Sequence, residues 1–371
     1  MKVAYFIGSL NRGGTETLVL DTFRRKEMLP YECILIYRSE GELSEAYRAT
    51  GVPMFRIKPT GFKLGYIPKL RRLLREQGVD ILHTQTHLNA FLGVFCTLFS
   101  TVRLVVSFHG FMLSVLDRVY TQLALWCADA SVFVSQYVRD WYLSRMLFAP
   151  RQRCYVVYNG IDFSKFDKPY ETPDFLNKDD EESPDTVKMV MVGNFSTARS
   201  QILLCQAIKA LKERNAGDIR LFLVGKKTNA DPEVFDNCVN YCRENGLLDK
   251  SVSFLGGRSD VPAILQHMDA FVYATNRDTF GIALIEAVAS GLPAVVNDWD
   301  VMKEVTNNGE WASLYKTMDV KDCADKIEEF VKNKEQRKEA ALRNAEAVRQ
   351  RFSIENHIRN LNEVYEKTLE N

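Results

Sequence analysis

The stretch Ala270-Phe271-Val272-Tyr273, then Thr275-Asn276-Arg277-Asp278-Thr279-Phe280-Gly281-Ile282-Ala283-Leu284-Ile285-Glu286-Ala287-Val288-Ala289-Ser290-Gly291-Leu292-Pro293, then Ala294-Val295-Val296, reads as strand, loop, helix and strand. The short apolar runs at Ala270–Tyr273 and Pro293–Val296 have strand length and composition, and Gly281 opens the helix between them. Working outward, the same alternation covers almost the whole chain. Candidate strands are Lys2–Ile7, Glu32–Tyr37, Pro53–Ile57, Asp80–His83, Arg103–Phe108, Ala130–Val134 and Cys154–Tyr158, and later Lys188–Val192, Arg220–Val224 and Val252–Leu255. Helical patterns such as Glu16–Arg25, Ile67–Gln77 and Val119–Ala128 separate them. Strand and helix in strict alternation imply parallel sheets covered on both faces.

The alternation breaks once. Phe166 to Thr186 holds three prolines, many acids and no apolar period, and reads as a linker or long surface loop. The chain of 371 residues therefore divides into two α/β domains, 1–165 and 187–353, joined by 166–186. The last segment, 354–371, is a helix with one apolar stripe, Ile354, Ile358, Leu361, Val364 and Tyr365, which must dock on something.

Charge and composition exclude several classes. The chain has 48 basic and 48 acidic side chains, which argues against bulk nucleic-acid binding. The balance hides an asymmetry: residues 1–170 carry 22 basic and 14 acidic side chains, and the remainder carries 26 and 34. Hydrophobic content of 46% and charged content of 26% fit a globular chain, not a disordered one. The start runs directly into a strand without a secretory h-region, so a cytoplasmic protein is expected. The eight cysteines lie mostly in apolar segments and read as buried thiols, Cys238 and Cys242 included. Leu88–Leu104 is apolar but too short and too interrupted to span a bilayer; it reads as a buried helix followed by a strand.

In open α/β sheets, ligands bind in loops after the strands. At Gly281 the N–H groups of Gly281 and Ile282 and the helix dipole can face an anion such as a diphosphate. Glu286, a turn further on, can accept from ribose hydroxyls, and Asp278 can hold the hydroxyls of a group carried by the diphosphate. The alternative is an ordinary amphipathic helix with Asp278 as an exposed loop acid.

This segment resembles the retaining glycosyltransferases of family 4, whose signature is two Glu residues with seven between them, then Ala, a small residue and Gly-x-Pro. Asp278 stands in place of the first Glu, while Glu286, Ala287, Gly291 and Pro293 match. Phe6 to Glu16, with Gly13, Gly14 and Glu16, resembles the family's first glycine loop, and Asp80-Ile81-Leu82-His83 its Asp-x-x-His strand. Ser107-Phe108-His109-Gly110, Tyr158-Asn159-Gly160-Ile161-Asp162, Val192-Gly193-Asn194-Phe195 with Arg199 and Gln201, and Gly256-Gly257-Arg258-Ser259-Asp260-Val261-Pro262 resemble further family landmarks.

The resemblance implies two Rossmann-like domains with sheets facing a central cleft, the GT-B fold, and a final helix crossing back onto the first domain. It implies a metal-independent hexosyltransferase that needs no cofactor beyond its donor, most simply a UDP-sugar held by the second domain. The acceptor, a carbohydrate or polyprenyl-diphosphate-linked sugar, belongs to the first domain, with closure about 166–186 assembling the site. His109, Arg199, Asp278 and Glu286 are the implied catalytic residues; Gly13, Gly14, Glu16, Asn194, Arg258, Phe280, Gly281 and Ile282 are the implied substrate contacts. Arg199 stands where the family usually has Lys, and a guanidinium there can clamp a diphosphate. Asn194 stands where it usually has a second cation, and Arg12 or Arg258 could take over that work. Retention implies front-face attack, with the leaving oxygen or a backbone carbonyl taking the proton.

Asp298-Trp299-Asp300 looks like the metal-binding Asp-x-Asp of the other large glycosyltransferase fold, but no further ligand cluster supports a metal. His83 and His87 straddle a strand end and read as residues of the crevice or just behind it, not as a metal pair. Two other classes stay open: a nucleotide-sugar epimerase of the same fold, and a non-catalytic nucleotide-sugar-binding subunit. Lys63, Lys69, Arg71, Arg72 and Arg75 in and just before an amphipathic helix, and the stretch Trp141 to Phe148, suit peripheral contact with an anionic membrane, at its inner face for a cytoplasmic protein. A solvated helix face plus a core segment explains them equally.

Overall fold

The computed structural model describes residues 1–58, 65–112, 114–147, 149–176, 183 and 185–370. They form two compact units, 1–162 together with 352–371, and 163–351. Lys63 and Phe148, and residues 177–182 and 184 of the expected linker, lie outside the described residues.

The first unit is built on β1 (Lys2–Phe6), β2 (Glu32–Tyr37), β3 (Met54–Arg56), β4 (Ile81–Thr84), β5 (Arg103–Phe108), β6 (Ala130–Phe133) and β7 (Cys154–Val156). All pair in parallel in the order β3-β2-β1-β4-β5-β6-β7. Helices α1 (Gly14–Arg24), α2 (Ser44–Ala49), α3 (Tyr66–Glu76), α4 (His87–Thr97), α5 (Val115–Cys127) and α6 (Gln136–Leu143) supply the crossovers. The order reverses between β1 and β4, so the loops that follow these strands flank the topological switch point.

The second unit holds β8 (Val187–Val192), β9 (Ile219–Val224), β10 (Val252–Gly256), β11 (Ala270–Tyr273), β12 (Ala294–Asn297) and β13 (Ser313–Tyr315), again parallel, in the order β10-β9-β8-β11-β12-β13. Its helices are α7 (Gln201–Glu213), α8 (Pro232–Glu244), α9 (Val261–Gln266), α10 (Ile282–Ala289), α11 (Asp300–Val305), α12 (Val320–Lys332) and α13 (Lys334–Phe352). Here the switch point lies between β8 and β11. The loops carrying Gly193–Arg199 and Thr275–Gly281 are therefore neighbours, although about eighty residues separate them in sequence.

The closing helix α14 (Ile354–Glu370) belongs to the first unit. Ile354 and Ile358 pack with Leu18, and Leu361, Val364 and Tyr365 join the β1–β2 core. Gly160 permits this: a Cβ there would lie 2.6 Å from His357 Cβ and 2.7 Å from Ile354 Cα. A buried chain of hydroxyls pins the helix. His83 Nδ1 lies 2.6 Å from Tyr365 Oη, which donates to Tyr5, whose hydroxyl lies 2.8 Å from that of Tyr31.

Three readings change. β13 escaped notice because three residues at a sheet edge show no period. The described part of the expected linker is not free: Gln266 Nε2 donates to Phe166 O and Lys168 O, its Oε1 accepts from Tyr170 N, and the Phe175 ring packs tilted against Phe222 with centroids 5.2 Å apart. Cys127 is exposed and Cys33 half-buried, while the other six cysteines are buried.

Candidate functional site

Arg199 and Asp278 are brought together at the switch point of the second unit. Arg199 leads out of the β8 loop, where its backbone bridges to Thr275 across the sheet opening, and Ser200 N donates to Ala274 O. Asn297 on β12 locks this seam by accepting from Thr275 N and donating to Thr275 O. Gly193 leaves room for the guanidinium: a Cβ there would lie 3.3 Å from Arg199 Nε. The guanidinium sits 5.3 Å over the Tyr273 ring, with Nη2 3.2 Å from Asp278 Oδ2 and Nη1 3.3 Å from Thr275 Oγ1. Burial works against the charge, but Tyr273 and Asp278 beside it outweigh that and raise the arginine's pKa.

Asp278 is not an exposed loop acid. It is 7% exposed, and its Oδ1 accepts from the backbone of Thr279, Phe280 and Gly281 at 2.8, 3.2 and 3.2 Å. Its Oδ2 accepts from Tyr273 Oη at 2.8 Å. The carboxylate thus occupies the positive end of α10, and the Gly281 amide expected to face an anion already has an acceptor. Ile282, the first helical residue, carries the next amide that the helix itself cannot satisfy. Gly281 has φ +80°, and a Cβ there would sit 2.8 Å from Met302 Cε, so glycine is required on both counts. Phe280 is buried.

Glu286 faces a partner that sequence reasoning missed. Lys165 Nζ lies 2.5 Å from Glu286 Oε1. Nothing in the sequence marks Lys165, an isolated lysine at the expected end of the first domain. Asn194 is structural in this state: its Oδ1 accepts from Lys226 N, and Gln201 Nε2 donates to Gly193 O and Asn194 O. Arg258 is engaged by Asp260 and Asp174, at 2.5 and 2.8 Å from Nη2, which raises its pKa and offsets its charge. Arg12 pairs loosely with Glu42 at the surface. Asp298 Oδ1 accepts from Thr317 N and Oγ1, and Asp300 pairs with Lys303.

In the first unit, Gly13 caps α1 and the Glu16 carboxylate reaches back over it, with its pKa raised by burial. Gly14 is the first residue of α1. His109, at the end of β5, has Nε2 2.7 Å from Gln85 Oε1 after β4. Gln85 can only accept there, so Nε2 carries the proton in the neutral ring. Burial, and then the His357 charge, push His109 down to about 4; burial pushes His357 to about 4 as well. His83 is a core residue, behind any crevice rather than lining it, with Nε2 2.7 Å from Ser107 Oγ under α14. His87 Nε2 lies 2.7 Å from Tyr142 Oη.

The basic helix α3 does not present its apolar side outward. Leu70 and Leu74 are buried, and Arg71 donates to Phe95 O and Leu98 O at the end of α4. Tyr142 and Met146 are core residues too. Among the described residues, no helix is long and apolar enough to cross a membrane.

Comparison with known proteins follows the same division. Residues 12–165 match the family described as Glycosyltransferase Family 4, and residues 174–347 that described as Glycosyl transferases group 1. The chain is 25% identical over 301 residues to the Escherichia coli UDP-Gal:alpha-D-GlcNAc-diphosphoundecaprenol alpha-1,3-galactosyltransferase, covering 77% of this chain and 76% of that one. Over 80 residues, 21% of this chain and 20% of the other, it is 38% identical to the Campylobacter jejuni N,N'-diacetylbacillosaminyl-diphospho-undecaprenol alpha-1,3-N-acetylgalactosaminyltransferase. Its fold superposes on Anabaena HepE, solved with UDP and glucose, with a TM-score of 0.83 at 18% identity, covering 99% of each chain.

Proposed function

Because the chain belongs to the family 4 glycosyltransferases, we propose that it transfers a hexosyl group from a UDP-sugar to a hydroxyl of a carbohydrate or polyprenyl-diphosphate-linked acceptor, with retention and without a metal ion. The observation that carries this reading is the Arg199–Asp278 pair at the opening of α10, with Glu286 one turn further on. A fixed guanidinium beside a helix N-terminus offers preorganised positive charge where a departing diphosphate gathers negative charge. Arg199 is the group that meets it, together with the Ile282 amide. Asp278, saturated by three amides, Tyr273 and Arg199, acts as the brace that aims the arginine. Glu286 accepts from the ribose hydroxyls, and Lys165 holds that carboxylate in place.

His109, at the end of β5, is neutral above about pH 4 and offers an uncharged imidazole ring. The acceptor class follows the two relatives named for diphosphoundecaprenol-linked substrates. On this reading the work belongs to cell-surface polysaccharide or glycolipid synthesis, at the cytoplasmic face of a membrane.

A thermal-shift screen of nucleoside diphosphate sugars, followed by transfer assays, tests the proposal: a UDP-sugar raises the melting temperature, and UDP release requires acceptor. Release without acceptor indicates the epimerase, and binding without turnover the non-catalytic subunit. Activity unchanged in EDTA is expected; loss on chelation returns attention to Asp298 and Asp300.

A further inference from the structure

Helix α5 carries two unlike faces. Thr121, Ala124 and Leu125 are buried, and Tyr120 packs 4.4 Å from Phe91 of α4. On the outer side, Val115, Leu116, Val119 and Trp126 are exposed, from 49% at Trp126 to 80% at Val115. Positions 115, 119, 122 and 126 follow helical spacing, so they form one stripe about 17 Å long at 1.5 Å per residue. Its polar member, Gln122, turns sideways: Nε2 donates to Leu147 O and Oε1 accepts from Leu147 N. Trp126 Nε1 donates to the same carbonyl at 3.0 Å, which leaves the indole's apolar body outward and fixes Leu147, 64% exposed, alongside the stripe. Leu98 and Phe99, the latter 97% exposed, line a groove past the end of α5 that they share with Cys127, Arg103 and Asp129.

Five large apolar side chains held outward on one ordered surface need a cover. The charges beside them select it. Arg118 Nη2 donates to Arg145 O, and the Arg145 guanidinium lies 4.3 Å over the Trp141 ring, so two cations rim the stripe. The nearby acids are spent: Asp117 caps α5 through Ser114 N, Asp129 pairs with Arg103, and Asp140 pairs with Arg139. A second copy of this face would set Arg118 and Arg145 against their own kind. An anionic surface would not, and an amphipathic indole beside two exposed arginines suits the headgroup boundary.

We propose that the outer face of α5 with Leu147 is a membrane-docking surface, inserting Val115, Leu116, Val119 and Trp126 at the boundary of a bilayer containing anionic phospholipid. This rests on the lipid-linked acceptor reading for its purpose, though not for its physics. It also moves the contact from α3, whose apolar side is consumed by the core.

The test is co-sedimentation with vesicles of phosphatidylcholine alone or with about 30% phosphatidylglycerol, for wild type and the Leu116→Asp/Val119→Asp double variant. Wild type should bind the anionic vesicles, losing roughly tenfold in affinity between about 0.1 and 1 M salt as Debye screening sets in. The variant should lose roughly tenfold or more at low salt, with unchanged melting temperature and UDP binding, because both sites are on the surface. Brominated lipid should quench wild type more than Trp126→Phe. Equal binding by the variant, absence of vesicle binding, or a wild-type dimer that the variant dissolves would each overturn the proposal. A protein that docks on vesicles yet binds no UDP-sugar would fail the functional reading alone; one that transfers sugar to a soluble acceptor yet ignores vesicles would fail this one.

Discussion

Asp278→Asn changes a single atom and separates a brace from a bystander. The Oδ1 bonds to Thr279, Phe280 and Gly281 survive, so the turn into α10 should persist. On the other branch an acceptor becomes an NH2 donor facing two donors, the Tyr273 hydroxyl at 2.8 Å and Arg199 Nη2 at 3.2 Å. The side chains are 9% and 23% exposed at Asp278 and Arg199, so solvent screens the pair little. Two bonds to a charged acceptor, each contributing about 1.5–3 kcal/mol and partly regained by relaxation, give a net cost of about 2–4 kcal/mol. For a domain of this size that is a fall in melting temperature of roughly 5–15 °C. Arg199→Met tests the partner. In a double-mutant cycle followed by urea unfolding, the two substitutions should couple by about 1–3 kcal/mol, because removing either leaves the other unpaired. The transfer rate should fall in both single variants. If Asp278→Asn leaves stability unchanged, or the two costs add to within about 0.5 kcal/mol, Asp278 does not hold Arg199 and the site must be rebuilt on Glu286.

Other consequences are simpler to state. Glu286→Ala should cut transfer by roughly a hundredfold with the fold retained, mostly through weaker UDP-sugar binding, and a wild-type rate would remove Glu286 from the site. Gln85→Glu puts a carboxylate against His109 Nε2 and should lift that imidazole from its titration near pH 4 toward neutrality; an unchanged NMR titration would contradict the contact. Stability should depend on pH through His83, His109 and His357, all lowered chiefly by burial. The unfolded chain takes up these protons near pH 6.5; the native one takes up those of His109 and His357 only near 4, and that of His83 well below its usual range, so the stabilisation is full above about 6.5 and is lost as pH falls below it. The slope approaches about 1.4 kcal/mol per pH unit for each histidine, or about 4 for three. Urea midpoints that do not move between about pH 5 and 7 would refute it.

The alternation of strand and helix was legible because each buried strand is a short apolar run, and the switch points follow once the strand order is known. What stayed illegible depended on contacts between distant segments. Lys165 sits in a proline-rich, polar neighbourhood where a lysine carries no signal, and only the packing of 163–176 within the second unit brings it to Glu286. Asp278 was visible, but as a departure from the family's Glu, and therefore as a loss. Its geometry argues otherwise. Aspartate has the short arm that lets one oxygen fold back onto three amides directly after it while the other turns toward Tyr273 and Arg199; one more methylene would carry both oxygens past those amides. The shorter acid gives up reach toward a sugar and gains a rigid hold on an arginine. That exchange bears on the charge asymmetry as well: in a half of the chain with an acidic excess, the cation proposed to meet a diphosphate is kept in place by an acid whose position also neutralises the end of α10.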